Sequence, residues 1–137
     1  MDVAPVKDVV HSIEMHPFPP SADLQFLVGE TILQIALDPY SIQFRFADGG
    51  QITVEGQIEH IDEGGVKHPH DCQKRASEAL YLHQLLQHPI AAVGAEPLCI
   101  SLSFTSGAIL RIFSELGPYE CGQIYPPEAS GRSMIIF

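Results

Sequence analysis

Between His60 and Cys72 the chain gathers His60, Asp62, Glu63, His68, His70, Asp71 and Cys72, its densest group of side chains able to hold a metal or move a proton. In extended backbone, His68-Pro69-His70 places both imidazoles on one side, and Cys72 continues that alternation. Imidazole, thiolate and carboxylate are suitable ligands for zinc or another transition metal. His68, His70 and Cys72 are therefore the candidate metal ligands, with Asp62 or Glu63 as a further one. Their spacing matches no established finger or protease signature, and Gly64 and Gly65 break the stretch that would have to preorganise them. The competing expectation is a solvated histidine-rich loop with no cofactor.

Other reactive side chains stand alone. Cys99 alternates oppositely to Ile100 and Leu102, and Cys121 sits in the segment Tyr119-Glu120-Cys121. Buried, inert thiols are the default reading for both. His83 falls on the apolar stripe of an expected helix, as a hydrogen-bonded core histidine. Tyr119 and Glu120 form either a site or a strand start with the phenol tied to backbone. No phosphate-cradling glycine loop, G-x-S-x-G elbow or H-E-x-x-H pair occurs. No catalytic residue is assigned, and a non-enzymatic role is the expectation.

Charge narrows the partners. Seventeen Asp and Glu against seven Lys and Arg give a formal net charge of -10, a field that repels nucleic-acid phosphates and anionic lipid. It would favour a basic protein partner. Seven histidines would shed part of that charge on mild acidification. The apolar runs are too short to span a bilayer. The start lacks the basic-then-apolar pattern of a secretory leader, and three widely spaced cysteines fit a reduced cytoplasm.

The elements that must position these residues come from a repeat. Shifted by 58 positions without a gap, Leu27 falls on Leu85, Ile32 on Ile90, Pro39 on Pro97, Ile42 on Ile100, Phe46 on Phe104 and Gly49 on Gly107. Such self-similarity changes how every other residue is read. Residues 31–37, 41–47 and 51–55 alternate as a half-buried antiparallel meander. A two-residue Asp48-Gly49 loop would set Arg45 opposite Ile52 and mix the faces. Pairing Phe44 with Ile52 keeps the apolar face intact and calls for an odd loop closed by a glycine at positive φ, Gly49 or its counterpart Gly107.

Strands at 90–94, 98–105 and 108–113 repeat the plan. The outward face of the first set is hydrophilic (Gln43, Arg45, Gln51, Thr53, Glu55). The second carries Ser101, Ser103, Ile109, Arg111 and Phe113, so Ile109 and Phe113 need cover. Residues 56–71 form the least regular stretch. A helix over about 72–87, capped by Asp71, carries Leu82 and Leu85, which align with Leu24 and Leu27 on a shortened helix at 22–28. Near the start, Val9, Val10, Ile13 and Met15 suit one short strand. The last four residues, Met134 to Phe137, are apolar and must dock.

The pairing of a duplicated Asp-Gly turn, in Phe44-Arg45-Phe46-Ala47-Asp48-Gly49-Gly50-Gln51-Ile52-Thr53-Val54-Glu55, with a late Tyr119-Glu120-Cys121-Gly122-Gln123-Ile124 segment resembles a group of small bacterial domains of unknown function. Some of them look like immunity or partner-binding proteins of toxin systems. The resemblance covers about residues 24–125 and implies no catalytic residue.

The expectation is one α+β domain over residues 1–137. It has two helix-plus-three-strand repeats (about 22–56 and 80–114) related by a pseudo-twofold. They form a curved antiparallel sheet or flattened barrel, with a C-terminal hairpin at 118–137 lying over Ile109 and Phe113. Functionally it is a binding module for a protein partner, basic by charge, or a second copy of itself. The alternative is a metal-binding protein or metal-dependent enzyme using the stretch from His60 to Cys72.

Overall fold

The computed structural model describes residues 17–74, 76–115 and 120–137, without the side chains of residues 76–80. The strand expected around Val9 to Met15, and Tyr119, lie outside these. Ten strands run β1 Ile32–Asp38, β2 Ser41–Phe46, β3 Gln51–Val54, β4 Gln57–Ile61, β5 Lys67–Asp71, β6 Ile90–Glu96, β7 Cys99–Phe104, β8 Ile109–Phe113, β9 Gly122–Tyr125 and β10 Ile135–Ile136. Three 3-10 segments, η1 Ser21–Leu27, η2 Ala76–Leu85 and η3 Glu128–Ser130, complete the order.

The α+β expectation is wrong: the chain is mostly β, and the helical segments among the described residues are these three 3-10 stretches. Instead of one curved sheet or barrel it builds two five-stranded antiparallel sheets, ordered β1-β2-β3-β9-β10 and β5-β4-β8-β7-β6. The expected helices fail for a reason visible in their leucines. Leu24 and Leu27, and again Leu82 and Leu85, are buried three residues apart. A 3-10 turn of three residues stacks that spacing on one side, and no further apolar position is needed. His83 is accordingly exposed rather than in the core.

The 58-residue offset reappears in the pairing. In β1–β2, Ile32 lies opposite Phe46 with a bulge before Gln34; in β6–β7, Ile90 lies opposite Phe104 with a bulge before Ala92. Phe44 pairs with Ile52, as alternation requires, and Gly49 and Gly107 sit at φ 93° and 98°. The two halves then lock together. Gly29 N–H donates to Ile90 O at 2.7 Å and Gln87 N–H to Ile32 O at 3.0 Å, a reciprocal pair, because 29 and 87, like 32 and 90, differ by the same 58. Segment η1 packs against β6 and η2 against β1.

The strands that follow each meander cross over. Strand β4 leaves β3 and pairs with β8; β9, after β8, pairs with β3. The stretch 56–71, expected to be irregular, is therefore the β4–β5 hairpin. Nor does the C-terminal hairpin cover Ile109 and Phe113; it extends the first sheet, beside β3. The reason is edge pairing: β3 would otherwise expose a row of unpaired N–H and C=O groups. One core cluster contains inward side chains of both sheets, among them Phe44, Ile52, Leu102, Ile112 and Phe137.

Pairing also matches the hairpins position by position. Ile52 faces Ile124 and its counterpart Leu110 faces His60; Val54 faces Gly122 and Ile112 faces Ile58. Opposite Ile58 stands His70, and Gly122 exchanges backbone hydrogen bonds with Phe137. The Phe137 ring, stacked on Phe18 at 4.5 Å, occupies the room that a side chain at 122 would take.

Two substitutions test this packing. A methyl group at Gly122 would overlap the Thr53 carbonyl oxygen and the Phe137 ring, so Gly122→Ala should lower unfolding free energy by about 2–3 kcal/mol. Gly94→Ala, with nothing within 4 Å of the added carbon, should change little. Gln87 holds φ 69° where its counterpart Gly29 holds 89°. A side chain there is strained, so Gln87→Gly should stabilise by about 0.5–1 kcal/mol in urea unfolding, against a loss for Gly29→Ala.

Candidate functional site

The β4–β5 hairpin carries the chemistry-bearing residues. Its loop is built by Asp62, whose Oδ1 accepts from Gly64 N–H and Val66 N–H, both at 2.9 Å. Asp62 Oδ2 lies 3.0 Å from His68 Nε2. The bond to His68, then those from the loop backbone, hold the Asp62 carboxyl below its usual range. His60 lies directly across from His68, with ring centroids 5.7 Å apart. Tyr81 closes the group, stacking on His60 at 5.4 Å and on His68 at 4.7 Å, while its hydroxyl donates to the His68 carbonyl at 3.1 Å.

His60 is the unusual member. It is fully buried where the other hairpin places Ile124, and neither ring nitrogen has a hydrogen-bond partner. Burial lowers its pKa, the nearby His68 lowers it further, and Asp62 acts in the opposite sense. The ring is thus a neutral, largely apolar filler of a position the fold reserves for a hydrophobic side chain.

The residues expected to bind metal do not come together as a set. His68 and His70 share the inward side of β5, as alternation requires, but His68 is committed to Asp62 and Tyr81. His70 is buried, with both ring nitrogens unpartnered. Cys72 is buried, and burial, with Asp71 beside it, pushes its thiol up to about 12. Glu63 is exposed at the loop. Among the described residues no three His, Cys, Asp or Glu groups converge to hold a metal ion. Burial also raises the thiols of Cys99 and Cys121, so none of the three is an activated nucleophile.

A second candidate is a surface. Alternate residues of β4, β6, β7 and β8 point away from the core, and their registers set Ala92, Ser103, Ile109 and Ile61 in one row. Gly94, Ser101, Arg111 and Glu59 make the next, and Phe113 begins a third. Arg111 and Glu59 stand 3.8 Å apart. The matching face of the first sheet reads Gln34, Arg45, Gln51 and Tyr125, then Ala36, Gln43, Thr53 and Gln123. Those long side chains bond one another: Arg45 donates to Gln34 at 3.1 Å and to Gln43 at 2.6 Å, and Gln51 donates to Thr53 at 2.9 Å. The first face is bonded within itself over β1, β2 and β3, with Tyr125 and Ile136 exposed towards its β9–β10 edge. The second carries small residues at Ala92, Gly94, Ser101 and Ser103 and partly buried Ile61, Ile109 and Phe113, with the Arg111–Glu59 pair among them and Lys67 and Glu96 in the same rows.

No protein-family model, curated protein or solved structure matches the chain. No helix among the described residues is long and apolar enough to cross a membrane. Two contributors were missed in the sequence. Tyr81 reaches the histidines only because the chain exchange brings the hairpin beside η2. Ile61 joins the outer face only because 57–61 is a strand, which its alternation (Ile58 and His60 inward, Glu59 and Ile61 outward) could have signalled.

The buried imidazole has a consequence for stability. A depressed pKa means that, just below about pH 6.5, the unfolded chain binds a proton that the folded chain does not. Stability therefore falls with falling pH, by at most about 1.4 kcal/mol per unit. Glu30, raised by burial and by Asp48, acts in the opposite sense, so the His60 contribution is read as the difference between wild type and a His60→Leu variant in urea titrations between about pH 7 and about 5.5. His60→Leu should flatten that slope and gain about 1 kcal/mol at pH 7 by removing two orphaned nitrogens. A slope unchanged in the variant would show that another group titrates.

Proposed function

We propose that the protein is a non-enzymatic binding module of the immunity or partner-binding kind, which meets a basic protein partner through the outer face of its second sheet. One observation carries the reading. At matched positions the first sheet displays Gln34, Gln43, Arg45, Gln51 and Glu55, and the second displays Ala92, Ser101, Ser103, Ile109 and Phe113. The exchange replaces five longer side chains by three small ones and two large apolar ones beside the Arg111–Glu59 pair, an apolar centre with charge near it, as interfaces have.

Charge selects among occupants. Two copies, each at formal net charge -10, repel when brought face to face, whereas a basic partner is drawn in and its encounter accelerated. The raised thiol pKa values and the absence of a converging ligand set among the described residues support a role in binding over catalysis or metal chemistry. A cytoplasmic setting belongs to the same proposal and rests on the free cysteines.

Immobilised wild-type chain and an Ile109→Thr/Phe113→Ser double variant, incubated with lysate of the source cell at 50 and 300 mM salt, provide the test. The expected result is a basic protein retained by the wild type at low salt, released at high salt, and retained about tenfold less by the variant. No retained protein, retention indifferent to salt, or equal retention by the variant overturns the reading. Light scattering showing a salt-insensitive dimer that the double variant abolishes would assign the face to a second copy instead.

A further inference from the structure

Away from both sheet faces, a cleft of about 530 Å³ opens between η1 and the segment joining β9 to β10. Its walls are apolar: Pro19 and Phe26 on one side, Pro126 and Ile135 on the other. Two charged side chains share the cleft, Asp23 from η1 and Arg132 from the loop after η3. The Arg132 guanidinium lies over the Phe26 ring, 5.1 Å from its centroid. Among the described residues Arg132 has no carboxylate partner within ion-pair distance, and Asp23 has no cation. Arg111, by contrast, has Glu59.

This combination is uncommon on so acidic a chain. An arginine held on an aromatic face keeps its edge N–H groups free for a planar carboxylate. A carboxylate in the same cleft would repel a simple anion, yet it is matched by a ligand that also carries an ammonium group. The apolar walls suit a hydrocarbon or aromatic body carried beside the two charges.

We propose that this cleft binds a free apolar α-amino acid: its carboxylate on Arg132, its ammonium on Asp23, and its side chain between Phe26, Pro126 and Ile135. The site is separate from the proposed partner face, so either can fail without the other. Both charged residues are exposed, and neither contributes to the core.

Titration of the full ¹⁵N-labelled chain with L-phenylalanine, followed by amide shifts, tests the assignment, with phenylacetate and phenethylamine as probes lacking one charge each. Saturable shifts confined to residues around Phe26 and Arg132 are expected, with L-phenylalanine bound at least about tenfold more tightly than either probe. Arg132→Ala and Asp23→Asn should each weaken L-phenylalanine about tenfold while thermal melting stays put. Absence of shifts at 10 mM ligand, equal binding of phenylacetate, or affinity unchanged in both variants overturns the proposal. Phe26→Ala serves as a second check on the wall and should weaken all three probes together.

Discussion

Everything in this fold depends on the pairing of β3 with β9 and of β8 with β4. Each meander ends on a strand whose outer edge needs a partner, and the chain supplies it from the other half. A backbone edge of four or five residues left unpaired would expose a row of donors and acceptors, inviting association with other chains. By exchanging hairpins, each half closes the other. The reciprocal bonds Gly29 to Ile90 and Gln87 to Ile32 repeat that dependence at the opposite ends of the meanders. Neither half holds a complete sheet or a complete core, which makes the unfolding unit the whole chain.

Within that symmetry the hairpins have diverged in how they fill equivalent space. The first places Ile58 and His70 where the second places Gly122 and Phe137, and His60 where the second places Ile124. Volume is exchanged across the pair: a large ring opposite a missing side chain replaces two medium ones, a swap that close packing permits only when both members change. The histidines bring nitrogens into a place that offers them no partner. A group whose buried polar atoms go unsatisfied costs stability, and here the cost is moderated because His60 stays neutral and packs its ring on Tyr81.

The strands were the legible part of the sequence. Alternation placed β1, β2 and β3, and again β6, β7 and β8, and it set the Phe44–Ile52 register because any other would drive apolar side chains into water. What it could not give was the destination of β4 and β9. Periodicity describes a strand's two faces but says nothing about which neighbour it will take, and both β3 and β8 offered edges. That single ambiguity put the C-terminal hairpin on the wrong sheet and left 56–71 as loop. The helices were misjudged for a local reason: Leu82 and Leu85 fit both a 3.6-residue and a three-residue period, and ten residues were too few to separate them. The candidate ligands His68, His70 and Cys72 were correctly read as alternating, yet alternation does not assemble a site. A metal needs ligands converging on one point, and here the inward direction is the core.

The two outer faces differ in composition, and the proposed function rests on that contrast. If the second sheet merely tolerated drift, its outward positions would remain polar, because exposed apolar side chains are a solubility liability. Instead Ile61, Ile109 and Phe113, from two adjacent strands, gather on one face. Their small neighbours Ala92, Gly94, Ser101 and Ser103 leave the backbone approachable. Arg111 and Glu59 sit between them 3.8 Å apart, and Lys67, Glu96 and Asp71 stand at the ends of the same rows, in a chain of formal charge -10. On the proposed reading, the acidic remainder acts at a distance, orienting a basic partner before contact. On the same proposal, the apolar face acts only on contact, by surrendering its water. The proposal thus assigns long-range attraction and short-range burial to different residues of one small domain.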